Sequence, residues 1–211
     1  SHLSDVEAAT LVCAGHTAWS SLQTASITAG DVVVTLGTGG VSLYTLQLGK
    51  AMGAAVVVTS SSNAKLEVAR SLGADHVVNY DSTPDWESQV LEITEGRGAD
   101  LVVDLGGADT LRRSVAATRM DGTVAVVGVL SGFGAAEISV TDVMTRQIRL
   151  HGISVGSVAG LADLAAAVSA NELRPHVSHQ YDWTELADAQ RCQQAGEHVG
   201  KIGITIPEDP S

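Results

Sequence analysis

Four consecutive residues, Gly37-Thr38-Gly39-Gly40, have the types needed to bring a phosphate against the backbone. Gly37 permits a tight turn, and Gly39 removes the side chain that would hold a pyrophosphate away. From Val41 onward apolar residues recur at Leu43, Tyr44, Leu46 and Leu48, which predicts a helix buried on more than one side. Thr38 to Val41 then form its start, where free N–H groups and a positive dipole end face an anion. Ser42 replaces the third glycine of the G-x-G-x-x-G pattern and is small enough for close helix–strand packing. A plain glycine turn has the same composition, so the context decides. The β-branched run Val32 to Leu36 before it reads as a buried parallel strand, and Ala54 to Ser60 reads as a second strand. Together they predict dinucleotide binding.

The end of that second strand bears on which dinucleotide. An NAD site places an acid there for the ribose hydroxyls, yet no acidic residue lies between Asp31 and Glu67. The stretch is Thr59-Ser60-Ser61-Ser62-Asn63, with Lys65 beyond it. Hydroxyls and a cation suit a 2′-phosphate, which favours NADP(H) over NAD(H). The same serines serve equally as a helix cap, with Lys65 as a surface charge. The missing acid also counts against an S-adenosylmethionine methyltransferase.

Further strands are expected at 76–80, 100–105, 123–129 and 150–155, alternating with helices at 63–72, 85–95, 110–118, 142–146 and 161–170. That alternation predicts an α/β fold, a doubly wound parallel Rossmann sheet of order 3-2-1-4-5-6 with helices on both faces. A helical lead-in over 1–28 opens with Ser4 and Glu7 as a capping box and breaks near Gly15. The dinucleotide-binding domain is expected over 29–170. A last segment, 171–211, holds strands at 176–181 and 201–206 around a helix at 185–195, with no partner evident inside the domain. Ligands bind at the carboxyl edge of such sheets, which brings in Gly106, Gly128-Val129-Leu130 and Val155-Gly156-Ser157, although ordinary strand-end turns use the same residues. Asp104 is expected to line the cleft without a catalytic role, and Cys192 to serve packing.

The 211 residues suffice for one full domain and part of a second. A net charge of −12 argues against nucleic acid or an anionic membrane as partner. No apolar run reaches the roughly 18 residues that span a bilayer. Two cysteines, Cys13 and Cys192, give no disulfide framework and suit a reducing cytoplasm. Neither a Ser-His-Asp arrangement nor paired carboxylates stand out. His176, His179 and His198 show no ligand spacing and read as surface or turn residues.

The stretches AATLVCAGHTAW, GDVVVTLGTGGVSLYTLQLGKAMGA, KLEVARSLGADHVVNY, ADLVVDLGG, GTVAVVGVLSG and HVGKIGI, in that order, resemble the medium-chain dehydrogenase/reductases. The likeness is to the alcohol-dehydrogenase-like and quinone-reductase-like branch and spans almost the whole chain. It implies a longer protein, with a GroES-like catalytic domain that ends where this chain starts and to which 171–211 returns. By resemblance Lys65 and Tyr80 contact the 2′-phosphate. Backbone groups at 128–130 and 155–157 hold the carboxamide, and Thr17 lies against the nicotinamide. Cys13 stands where zinc-dependent members place a ligand of the catalytic metal, whose other ligands lie outside the chain; packing is its alternative role. His16 beside it completes no metal site.

The resemblance implies an NADP(H)-dependent oxidoreductase acting on a small carbonyl, enone, quinone or alcohol, with no residue of this chain assigned as catalytic. The alternative is an NADP(H)-binding module without turnover. Apolar residues in the sixth strand at the sheet edge point to a homodimer.

Overall fold

The computed structural model describes residues 2–207. Helix α1 (Asp5–Ala9), a π-helical turn (Leu11–Gly15) and α2 (His16–Thr24) lead into β1 (Val32–Leu36) and α3 (Gly40–Ala51). Then come β2 (Ala55–Ser60), α4 (Asn63–Ser71), β3 (His76–Asn79), α5 (Trp86–Ile93), β4 (Ala99–Asp104) and α6 (Leu111–Ala117). They are followed by β5 (Thr118–Val126), α7 (Val140–Thr145), β6 (Arg149–Gly152), α8 (Val158–Ala170), β7 (Val177–Asp182), α9 (Leu186–Gln194) and β8 (Lys201–Thr205).

Six strands form one sheet of order β3-β2-β1-β4-β5-β6, every pair parallel. Successive side chains of a strand point to opposite faces, and both faces are apolar here. Val33, Val56, Val58, Leu101 and Val103 pack under α2, α3 and α8 with Leu22, Leu43, Leu46 and Leu164. Val34, Val57, Val102 and Val124 face α5 and α6, against Trp86, Val90 and Val115. Each fully buried leucine or valine contributes about 1.5–3 kcal/mol, and with one phenylalanine in the chain the aliphatics carry this core. Among the described residues no helix is long and apolar enough to cross a membrane.

Three boundaries differ from the sequence reading. The Ser4–Glu7 capping box is present, but the helix does not break at Gly15. It widens into the π turn, which ends at Gly15, where a Cβ would stand 3.3 Å from the ring of Tyr44. Strand β5 starts at Thr118 and ends at Val126, so Gly128 to Leu130 lie in the loop beyond it. Strand β6 ends at Gly152, and α8 begins at Val158 with Ser157 as its N-cap.

The final segment forms a separate two-stranded sheet. β7 and β8 pair with each other in parallel, and the pair docks on the main body. Gly200 N–H donates to the Thr38 carbonyl at 2.8 Å, joining the segment to the glycine turn.

At the amino edge of the sheet Asp100 is almost wholly buried. It accepts from Arg97 at 2.6 and 3.0 Å, from Val32 N–H at 2.7 Å, and from Arg119 Nε. Burial opposes its ionisation, but the bonds from Arg97, Val32 and Arg119 outweigh that and hold its pKa down to about 2. A carboxyl depressed in the folded state stabilises fully above its unfolded pKa of roughly 3.9 and loses that contribution as pH falls through the folded value; the amount is about 2–3 kcal/mol. Urea unfolding is therefore expected to show stability falling between pH 4 and pH 2. In Asp100→Asn that part of the pH dependence should vanish, with neutral-pH stability lower by about 2–3 kcal/mol. Equal stability of the two proteins at pH 7 would refute the assignment.

Candidate functional site

The glycine turn joins the carboxyl end of β1 to α3. Gly37 is left-handed at φ 83°, which only glycine adopts freely. Gly39 is the N-cap of α3, no side chain caps that helix, and a Cβ at Gly39 would meet nothing within 4 Å. The start of α3 therefore lies against open space with its first N–H groups uncapped by any side chain, the arrangement that receives an anion. Thr38 is buried, and Val41 is the second residue of the helix. Gly40 has a different reason to be glycine: its Cβ would stand 2.6 Å from the Lys201 side chain and 3.1 Å from Ala14. Ser42, in place of the third glycine, is fully buried and donates to the Leu36 carbonyl at 2.8 Å. The hydroxyl thus ties helix to strand while filling little space.

At the end of β2, Ser60 is buried and its hydroxyl accepts from Ser62 N–H, whereas Ser61 is exposed. Ser62 is the N-cap of α4 and accepts from Lys65 N–H, so part of this polar run is indeed a helix cap. Lys65 is no free surface charge. Its ammonium donates to the carbonyls of Gly196 and His198, the latter at 3.1 Å, which leaves one of its three protons. His198 is half-buried rather than a surface residue, and its Nδ1 is enclosed. Burial first, then the charge of Lys65, pushes its imidazole below the usual range.

A cleft of about 400 Å³ opens beside the turn, lined among others by Gly37, Thr59, Tyr80, Trp86, Gly106 and Leu130. Its far wall consists of two loops joined by hydrogen bonds. Leu130 N–H donates to the Leu105 carbonyl, and Ser131 N–H and hydroxyl donate to that of Gly106. Gly128 is glycine because a Cβ would lie 2.4 Å from the Leu105 carbonyl oxygen, while Val129 and Leu130 are exposed beyond it. Asp104 does not line the cleft, contrary to the sequence reading. It is fully buried and accepts from Gly107 N–H at 2.9 Å and from the hydroxyls of Thr110 and Ser114 at 2.7 and 2.5 Å. It aligns the loop that carries Gly106 with the start of α6.

Sequence reasoning missed Trp86, Thr110 and Arg113 in the cleft wall. Their signal is positional: the loops that follow β3 and β4 lie at the carboxyl edge, where the cleft of an open α/β sheet forms. Arg113 pairs with Asp85 and Glu87 at 3.0 and 2.9 Å.

Across the sheet, Thr17 is buried and its hydroxyl donates to the Cys13 carbonyl at 2.8 Å, within the π turn. Val155 is left-handed at φ 54°, a conformation that costs a β-branched residue of the order of 1–3 kcal/mol. Such strain concentrates at sites where the backbone must face a particular direction. The adjoining Gly156 and Ser157 are exposed. Cys13 is exposed and unpaired, and no group of three or more His, Cys, Asp or Glu able to hold a metal occurs among the described residues. These residues do not make a zinc site.

The comparisons with known proteins agree with this geometry. Residues 40–170 match the zinc-binding dehydrogenase family. A zinc-type alcohol dehydrogenase-like protein of Schizosaccharomyces pombe is 38% identical, over 97% of this chain and 61% of its own length. A 2-haloacrylate reductase of a Burkholderia species is 34% identical, over 98% of this chain and 65% of its own. The solved structure of a candidate alcohol dehydrogenase from Sinorhizobium meliloti 1021 superposes with a TM-score of 0.91 at 41% identity, covering 97% of this chain and 59% of that one. The chain thus spans roughly six tenths of the length of these relatives. With an uncapped glycine turn at the switch point of a 3-2-1-4-5-6 sheet and the family match over most of that sheet, the chain belongs to the zinc-binding dehydrogenases, within the medium-chain alcohol dehydrogenase-like group.

Proposed function

We propose that the chain binds NADP(H) and forms part of an oxidoreductase that moves hydride between nicotinamide and a small carbonyl, enone, quinone or alcohol. The observation that carries this reading is the open, uncapped start of α3 at Gly39, beside a cleft at the carboxyl edge of the sheet. The hydride chemistry belongs to the nicotinamide; the protein supplies binding, orientation and a dry wall.

In this reading Gly37 to Val41 hold the pyrophosphate through backbone N–H groups. The adenosine half occupies the cleft lined by Thr59, Tyr80 and Gly106. Ser60, Ser61, Lys65 and Tyr80 hold the 2′-phosphate, with the remaining proton of Lys65 as a charge-assisted donor. Backbone groups at 128–130 and 155–157 hold the carboxamide, with Thr17 behind the ring. Among substrates, the name of the Burkholderia relative favours the activated-alkene end of the range. No step is routed through zinc, because the described residues give it no site. Binding without turnover is the second reading, and the comparisons are compatible with it. Two free cysteines suit a reducing cytoplasm.

Titration of the purified chain with NADPH and NADH, followed by calorimetry, tests the cofactor. NADPH is expected to bind more tightly, and Lys65→Ala with Tyr80→Phe to weaken it about tenfold or more while leaving NADH nearly unchanged. Tighter binding of NADH would overturn the 2′-phosphate assignment. Absence of binding by either would overturn the cofactor reading for this chain.

We also place a homodimer contact at β6. This strand ends the sheet, its four residues are exposed, and Leu150 among them is apolar. Ile153 N–H donates inward to the Val126 carbonyl, so by strand alternation the N–H of Leu150 points away from β5. Leu150→Pro removes that outward donor and keeps the inward ladder. Sedimentation is expected to show a wild-type dimer and a monomeric, folded variant; a variant that remains dimeric would rule this edge out.

A further inference from the structure

The turn at Val155 to Ser157 rests on a histidine that neither the sequence motifs nor the family resemblance explains. A Cβ at Gly156 would stand 2.3 Å from Nε2 of His16 and 2.5 Å from Oγ of Ser20, and one at Gly160 would stand 3.0 Å from the same nitrogen. The imidazole is 3% exposed, and among the described residues Nε2 has no hydrogen-bond partner. It is therefore a buried ring beneath an exposed turn. His16 is the first residue of α2, directly after the π turn, and its ring lies against Gly156 and against Gly160 near the start of α8.

Packing alone does not account for a histidine here. Leucine would avoid enclosing a lone nitrogen and is the better stabiliser, but its branched chain lacks the flat ring that lies against Gly156. Left-handed Val155 persists only where its surroundings over-determine it. On one side the turn is anchored by Ile153 N–H donating to the Val126 carbonyl at 2.9 Å. On the other, Ser157 accepts from Gly160 N–H at 3.1 Å. Between these anchors, the His16 ring and the Ser20 hydroxyl fill the space that a side chain at Gly156 would take.

We infer that His16 is a positioning residue for the nicotinamide. Its imidazole, wedged beneath Gly156, fixes the direction in which the backbone groups of Val155 to Ser157 point. This rests on the dinucleotide reading above and extends it to a residue that does not touch the ligand. The adenosine cleft, lined by Thr59, Tyr80 and Trp86, shares no lining residue with this turn. The effect of His16 must then be confined to the nicotinamide half.

The test compares NADPH or NADH, whichever binds more tightly, with its nicotinamide-free ADP-ribose counterpart. Both are titrated calorimetrically into wild type, His16→Leu, His16→Gln and Gly156→Ala, with amide exchange of the ligand-free proteins measured at 154–157. His16→Leu should weaken the dinucleotide about tenfold and leave the ADP-ribose compound unchanged. It should speed exchange at Val155 to Ser157 with no fall in Tm. Gly156→Ala, at an exposed position, should reproduce the selective loss by driving a Cβ into the ring. His16→Gln returns a planar group of similar reach beneath Gly156 and should recover dinucleotide affinity to within about twofold. Equal loss for both ligands, or unchanged dinucleotide affinity in His16→Leu, would overturn the inference alone. Wild-type protein that binds neither ligand would overturn the cofactor reading and this inference with it.

Discussion

The first turn of α3 begins with N–H groups that have no acceptor within the helix and no side chain to cap them. Much of the surrounding structure keeps that turn open and in place. Ser42 ties the helix back to the end of β1, and Gly200 occupies the Thr38 carbonyl, so the loop is held from both sides. Gly37 supplies the left-handed bend and Gly39 the open space. A side chain able to cap α3 from Gly39 would satisfy the helix and block the anion. The glycine is therefore the residue that leaves the helix start unsatisfied by protein.

Two buried aspartates show how the ends of the sheet divide their tasks. Asp100 at the amino edge is paired with Arg97 and Arg119, and its value to the fold is electrostatic and pH-dependent. Asp104 at the carboxyl edge accepts from one backbone N–H and two hydroxyls, neutral donors that position rather than neutralise. The difference fits the places they hold. At the carboxyl edge the guanidinium in the cleft wall, Arg113, is paired with Asp85 and Glu87 instead, and hydroxyls fix the Gly106 loop.

The sheet order was legible in the sequence because β-branched runs such as Val32 to Leu36 and Ala55 to Ser60 are buried on both faces and short glycine links separate them. The glycine turn was legible for the same reason: strand, turn and helix constrain one another. Strand ends were less so. Val127 continues the apolar pattern of β5 but already donates its N–H across to the Asp104 carbonyl in a loop, and periodicity does not distinguish these. The π turn was invisible because the apolar pattern over Leu11 to Gly15 does not distinguish it from an α-helix. The partners of Lys65 were likewise hidden, since the carbonyls of Gly196 and His198 meet it only after the sheet is complete.

That last contact changes how the closing stretch His198-Val199-Gly200-Lys201 is understood. As sequence it leads into the strand expected at 201–206, with no partner evident inside the domain. In the structure it reaches three parts of the glycine turn and second-strand end: the carbonyl of His198 on Lys65, the N–H of Gly200 on Thr38, and the stem of Lys201 over Gly40. Backbone groups make two of these contacts, so they depend on where the segment lies rather than on its side chains. The direction of the Lys65 ammonium is then set by a segment more than 130 residues further along the chain. Whatever charge the second-strand end offers to a ligand is therefore a property of the closed assembly of sheet and C-terminal pair. A local motif of serines and one lysine would predict it only when this closing segment is in place.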